Sequence, residues 1–375
     1  MISSVGEPVD HAAVLEQRRV AHANAGARLA SLRDGALRSL LGRTSPTWRP
    51  WGGSHRVVVD GHPVFVKRLL LTDREIETDG STRNVFDLPL FYSYGVGSAG
   101  FGAYRELAAH RSATELVLSG ATTGFPLLHH HRVMVRDGPA PRFPMELDGY
   151  VSRWNGDPSV RAFIEAREAS RYELWLFAEA LPHVVHDWFP THQHMAADVV
   201  EELRGAASSL NDRGIVHFDA HFGNALTDER RFYLSDFGLA MSEDFELDDT
   251  ERSFLRAHTH YDRALVVWCL CVPLLEMHRA LSPDARARAD QIVGVAEDAT
   301  RRGLTSALVR HAAALADATV VDLHPAYVEE LDRYREVIVA MDDFLDEIGR
   351  PDKSARFDDR GIDALLDAAD RRSRC

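Results

Sequence analysis

The chain has 375 residues, 57 of them acidic and 43 basic, for a net charge of −14. This balance disfavours a duplex-coating role, which needs a basic surface. An anionic ligand would need local lysine, backbone amides or metal to overcome the global field. The three cysteines, Cys269, Cys271 and Cys375, form no spaced framework, which argues against a disulfide-stapled fold.

In chain order, residues 11–42 carry Ala, Leu and Arg at helical spacing and predict one or two N-terminal helices. Two prolines between Thr44 and Pro50 end that pattern. From Arg56 to Leu71 two β-rich runs flank Asp60-Gly61, which predicts a tight hairpin. Residues 72–100, mixed and glycine-bearing, predict an insertion or long loop. Ala103 to Leu118 predicts an amphipathic helix. Phe125 to Val135 and Glu173 to Ala178 predict strands, and the Pro/Gly-rich stretch near 136–170 between them reads as a second insertion. Gln193 to Asn211 predicts a long helix. Further helices are expected around 250–257, 262–280, 283–302, 304–317 and 326–348, and a charged tail, 350–375, is expected to be loosely held. The first residues lack an apolar signal-type run, and the longest apolar run, Ala264 to Leu275, contains Pro273 and is too short for a bilayer. A cytoplasmic protein with no membrane or nucleic-acid partner is the expectation.

The chemistry concentrates between Gly214 and Ala240. His217-x-Asp219 is followed by Asn224, and Asp236-Phe237-Gly238 comes twelve residues later. Short β-type runs at Asn224–Leu226 and Phe232–Leu234 flank a polar turn, so a hairpin would bring Asn224 and Asp236 together. An Asn and an Asp side by side offer hard oxygen ligands suited to Mg²⁺. Asp219, at the mouth of the same site, is placed to accept a proton from an attacking hydroxyl. His258-x-His260, near a helix start, offers no comparable set of metal ligands.

This spacing resembles the catalytic and metal-binding loops of the protein-kinase-like superfamily. Asp219-Ala220-His221-Phe222-Gly223-Asn224 is similar to the Asp-x-His-x-x-Asn of aminoglycoside and choline phosphotransferase-like enzymes, whereas Asp236-Phe237-Gly238-Leu239-Ala240 is closer to protein kinases. The resemblance implies an α+β, two-lobed protein-kinase-like fold with a small antiparallel β-sheet N-lobe and a mostly helical C-lobe. The corresponding division is an N-terminal helical extension (1–45), an N-lobe with both insertions (46–181), a C-lobe with the catalytic and metal loops (182–349), and the tail.

The resemblance also implies roles. Val64-Phe65-Val66-Lys67 resembles the strand whose lysine holds the α/β-phosphates, and Glu106 is the preferred partner of Lys67, with Glu115 as rival and Glu75 and Glu77 behind. Gly52, Gly53 and Ser54, after Trp51, stand where a phosphate-binding loop belongs, although the full glycine pattern is absent. The backbone from Glu179 to Leu181 would meet the base at the inter-lobe hinge. His217 belongs with Asp219 in the catalytic loop, where it fixes the loop by hydrogen bonds. The cofactors implied are ATP, or another nucleoside triphosphate, and Mg²⁺. No Ala-Pro-Glu follows Asp236-Phe237-Gly238, which favours a small-molecule hydroxyl acceptor, and the acidic stretch Glu243 to Glu251 would attract a cationic one. The alternatives are a bacterial Ser/Thr protein or peptide kinase, for example on a natural-product precursor peptide, and a non-catalytic pseudokinase used as a binding module.

Overall fold

The structure, a computed structural model, describes residues 11–44, 47–49, 52–138, 141–295 and 301–372. The first ten residues, Trp51 and Cys375 lie outside them. An antiparallel sheet is formed by β1 (Thr47–Arg49), β2 (Gly52–Val59), β3 (His62–Leu71), β4 (Leu128–Val135) and β5 (Tyr172–Glu179), in the order β1-β2-β3-β5-β4. The β2–β3 turn is Asp60-Gly61, with φ of 46° and 85°, the left-handed pair that two-residue hairpins require.

Alternation along β3 gives the sheet two apolar faces. Val64 and Val66 are fully buried beneath α1 (His11–Ser31) and α2 (Asp34–Leu41), whose Leu29, Leu37 and Leu41 share their cluster. Leu69 and Leu71 face the other way. They meet Leu107 of α4 (Ala103–Ser119), the helix that follows α3 (Asp73–Glu77).

The two insertions do not loop out. Thr72 and Glu75 cap α3 reciprocally, and the buried Glu75 also accepts the Ala103 N–H at 2.6 Å. A residue of the first insertion thereby caps the helix that carries Glu106. Gly102 is obligatory beside this cap, because its φ is 129° and a Cβ there would lie 2.8 Å from Glu75 Oε1. Phe86, Leu88 and Tyr92 of the first insertion pack with Tyr150 of α5 (Leu147–Arg153), with Trp154, and with Phe163 of α6 (Pro158–Glu168). Each insertion supplies only part of this cluster, so the sequence looks loop-like, but together the two close a core.

The remainder is mainly helical. After β6 (His183–Val184) come α7 (Val185–Trp188), α8 (Ala196–Asn211), β7 (Ile215–Val216), β8 (Ala225–Thr227), β9 (Phe232–Leu234) and β10 (Met241–Ser242). The helices α9 (Asp249–Arg256), α10 (Tyr261–Trp268), α11 (Cys271–Ala280), α12 (Pro283–Val293), α13 (Arg301–Arg310), α14 (Ala312–Asp317), α15 (Pro325–Arg333), α16 (Arg335–Gly349) and α17 (Asp359–Arg372) follow. The helix expected over 262–280 is broken at Cys269–Leu270. Pro273 can neither donate to the Cys269 carbonyl nor fit its ring beneath it. The expected loose tail is a docked helix: Ile362, Leu366 and Ala369 of α17 are buried, and Asp370 holds Arg204 of α8 with two bonds of 2.9 and 2.8 Å. Apolar residues spaced by four and three were hidden among charges. No helix among the described residues is long and apolar enough to cross a membrane.

Candidate active site

Alternation on β3 turns Lys67 toward α4, opposite to Val64 and Val66. Its Nζ lies 2.6 Å from Glu106 Oε1 and 2.7 Å from Asp236 Oδ1. Glu106, rather than Glu115, Glu75 or Glu77, is therefore the helix carboxylate at this lysine. Burial disfavours the Lys67 ammonium, but the Asp236 and Glu106 carboxylates outweigh it and hold its pKa above the ordinary value. For Asp236, Lys67 outweighs burial in turn and brings the carboxyl down to about 2. Gly238 completes this corner, since a Cβ there would lie 3.3 Å from both Asp236 Oδ1 and Glu106 Oε2.

The β8–β9 hairpin pairs Ala225 with Leu234, and Ser235 donates from N and Oγ to the Asn224 carbonyl at 2.9 and 2.7 Å. Asn224 and Asp236 thus flank the open end of one short ladder. Asn224 Nδ2 donates to Asp219 Oδ2 at 2.7 Å, which turns its amide oxygen away from Asp219. Among the described residues no group of three or more His, Cys, Asp or Glu side chains could hold a metal. The donor set is the Asn224 amide oxygen and the Asp236 carboxylate. It fits a Mg²⁺ ion that takes its remaining ligands from phosphates and water.

The loop that carries Asp219 is held from behind. Phe218 is buried with φ of 61°, a costly conformation for an aromatic residue. Asp262 of α10, fully buried, fixes it by accepting the His217 and Phe218 N–H groups at 2.6 and 2.8 Å. Burial raises the Asp262 carboxyl to about 7, against those two donors. His217 is also fully buried: its Nε2–H donates to the Ser235 carbonyl at 3.1 Å and its Nδ1 accepts the Asp219 N–H at 3.2 Å. Burial lowers its pKa to about 4, so it is neutral. With both nitrogens engaged and no exposure, it holds the loop and has no free nitrogen to offer a substrate, so His217, grouped with Asp219 as a catalytic candidate on sequence, is placed here as a loop-fixing residue.

Asp219 Oδ1 is buried without a hydrogen-bond partner. His221 Nε2 lies 3.5 Å from it, and Gly95 of the first insertion covers it so closely that a Cβ there would be 1.9 Å away. Burial raises the Asp219 pKa, with nearby His221 opposing. Asp219 also lines a cavity of about 640 Å³, together with Val96, Phe222, Leu265, Trp268, Asp342 and Leu345, among others.

Other expectations meet a different geometry. Gly52, Gly53 and Ser54 lie in β2 with β1 and β3 on either side, so their backbone faces neighbouring strands rather than an open loop. Ser54 does stand opposite Lys67. The Glu179 N–H donates to the Leu127 carbonyl at 2.8 Å, and its side chain is paired with Arg18 of α1 at 2.7 Å. The Leu181 carbonyl accepts from Arg56 at 2.6 Å. The Glu179 N–H and one lone pair of the Leu181 carbonyl are thus engaged within the chain. In the acidic stretch, Glu251 is buried against Arg105 at 2.7 Å, so this residue is not available to attract a substrate. His258 binds Tyr94 and the Phe254 carbonyl, and His260 binds Asp359.

Motif reasoning missed Asp262, Gly95 and Arg105. Asp262 and Gly95 act through backbone contact across long sequence separations, which leaves no local signal.

No protein-family model and no curated protein sequence matches the chain. Among solved structures, one that is similar is "WaaP in complex with acyl carrier protein", at 14% identity and a TM-score of 0.36, covering 83% of this chain and 95% of that one. A superposition this loose carries no functional argument.

Proposed function

We propose that the chain is a phosphotransferase of the two-lobed protein-kinase-like type that moves the γ-phosphoryl group of ATP, or another nucleoside triphosphate, to a hydroxyl of a small-molecule acceptor. The observation that carries this reading is the pairing of two features: the Lys67–Glu106–Asp236 ion cluster, and Asp219, with one carboxylate oxygen lacking a hydrogen-bond partner, on the wall of a ligand-sized cavity.

Phosphoryl transfer needs positioning and charge neutralisation more than covalent chemistry from the protein. Lys67, oriented by Glu106, neutralises the α/β-phosphates. Asn224 and Asp236 would hold Mg²⁺, which neutralises phosphate oxygens when bound. Asp219 accepts the acceptor hydroxyl's hydrogen bond at Oδ1 and takes its proton, while Asn224 fixes the other carboxylate oxygen. Asp262 keeps that loop in register.

The cavity wall is mostly apolar, and among its described lining residues are Asp219, Asp342 and Asp346 but no Lys or Arg. It suits an acceptor with an apolar body and no anionic group. The run Asp236-Phe237-Gly238-Leu239-Ala240 favours a second reading, a protein or peptide kinase. The test is incubation with γ-labelled ATP and Mg²⁺ alongside two acceptor pools, small metabolites and total protein. The reading expects label in the metabolite pool, lost in Asp219→Ala. Label in protein would favour the second reading, and metal-dependent nucleotide binding without turnover on any acceptor, water included, would favour a pseudokinase.

A further inference from the structure

Arg105 is the neighbour of Glu106 in the first turn of α4. Its guanidinium, 2% exposed, meets Glu251 Oε1, 5% exposed, at 2.7 Å. It donates to the Thr82 carbonyl at 2.6 Å, and its carbon lies 5.4 and 5.7 Å from the ring centres of Phe101 and Phe245. Glu251 is itself fixed. It closes the capping box of α9, with Oε2 accepting the Asp248 N–H at 3.0 Å and its own N–H donating to Asp248 Oδ1 at 2.7 Å.

The pair therefore joins the first turn of the helix that carries Glu106 to the first turn of the helix that ends the segment after Asp236. A second tie runs parallel to it: Glu246 N–H donates to Thr82 Oγ1 at 2.9 Å and Thr82 N–H to Glu246 Oε1 at 3.3 Å. Separating α4 from α9 would leave two opposite charges uncompensated in an apolar setting, which is strongly unfavourable. Between Asp236 and Asp249 the only hydroxyl side chain in the sequence is Ser242. It is 1% exposed and sits in β10, paired with Ile215 of β7. The segment offers no accessible hydroxyl through which modification could order it.

We propose that the buried Arg105–Glu251 pair is a permanent clamp that holds Glu106 against Lys67, so that the phosphate-binding lysine is aligned without modification of residues 237–248. Arg105 and Glu251 are positioning residues, acting through Glu106, and the inference rests on the phosphotransferase reading.

The test measures calorimetric affinity for a non-hydrolysable ATP analogue with Mg²⁺, using the full chain shown by mass spectrometry to carry no phosphate. Glu251→Gln should weaken affinity roughly tenfold, the order of coupling between linked sites. Glu106→Gln should weaken it in the wild type but add little in the Glu251→Gln background, because both changes remove one alignment. Arg105→Met/Glu251→Met replaces the pair by apolar packing and guards against simple unfolding. This variant should still unfold cooperatively, with a thermal midpoint lowered by no more than the lost cap of α9 accounts for, and still lose affinity.

Unchanged affinity in that double variant, additive losses in the cycle, or binding that appears only after phosphorylation would each overturn the clamp. If the wild type, phosphorylated or not, fails to bind the magnesium–nucleotide probe, the phosphotransferase reading itself falls, and the clamp falls with it before any variant is compared.

Discussion

Gly95→Ala offers a direct probe of the acceptor side. The added Cβ would lie 1.9 Å from Asp219 Oδ1, where real Cβ atoms keep at least 3.0 Å, so something must move by about 1.1 Å. The loop resists. Tyr94, beside it, is 3% exposed and packs against the rings of Phe218, Phe254, Tyr261 and Phe344. Its hydroxyl donates to His258 Nε2 at 2.7 Å, because His258 Nδ1–H is committed to the Phe254 carbonyl. The Asp219 carboxylate must therefore rotate. A misplacement of about 1 Å at the reacting centre costs roughly 10²-fold in rate, about 2.7 kcal/mol. The assay is phosphate release or transfer from γ-labelled ATP, with calorimetric nucleotide affinity alongside. Turnover should fall about a hundredfold with affinity unchanged, while Gly205→Ala on α8, where a Cβ meets nothing within 4 Å, should be silent. Wild-type turnover in Gly95→Ala would refute the placement of Asp219 at the reacting hydroxyl.

Further expectations separate the remaining roles. Asp219→Ala should leave magnesium–ATP affinity nearly intact and abolish transfer in the labelling assay, whereas Asp236→Ala should weaken magnesium–ATP affinity itself. Asp262 ties stability to pH: its carboxyl ionises near 3.8 in the unfolded chain but only at about 7 in the fold, so folding takes up a proton in that window. Its contribution is fully present below pH 3.8 and is lost as pH rises toward 7, by at most about 1.4 kcal/mol per pH unit. Urea unfolding of wild type against Asp262→Asn should show that slope in the wild type alone. Leu366→Ala, at a position 1% exposed in α17, should cost about 2–5 kcal/mol, read as a lower thermal midpoint, and a truly loose tail would show no change.

Some of this geometry was legible in the sequence and some was not, for physical reasons. The β2–β3 hairpin announced itself because Asp-Gly is one of the few dipeptides that readily takes two positive φ values. The approach of Asn224 to Asp236 followed from two short β-type runs around a polar turn, and the two-residue alternation of β3 separated Lys67 from its valine neighbours. The insertions were illegible because their cores are shared: Phe86 and Tyr92 have no local pattern until Trp154 and Phe163 arrive from 60 or more residues away. Glu251 read as part of an acidic run, since nothing local reveals that Arg105 reaches it. Nor does any local pattern show that Arg18 and Arg56, outside any motif, reach the Glu179 side chain and the Leu181 carbonyl.

The measurement that bears most directly on the central claim is calorimetric titration of the full chain with ATP, with and without Mg²⁺, in wild type, Asp236→Ala and Asp219→Ala. The account predicts magnesium-dependent binding in the wild type, a large loss in Asp236→Ala, and near-wild-type binding in Asp219→Ala. No binding by the wild type at any Mg²⁺ concentration, or binding indifferent to Asp236→Ala, would contradict it.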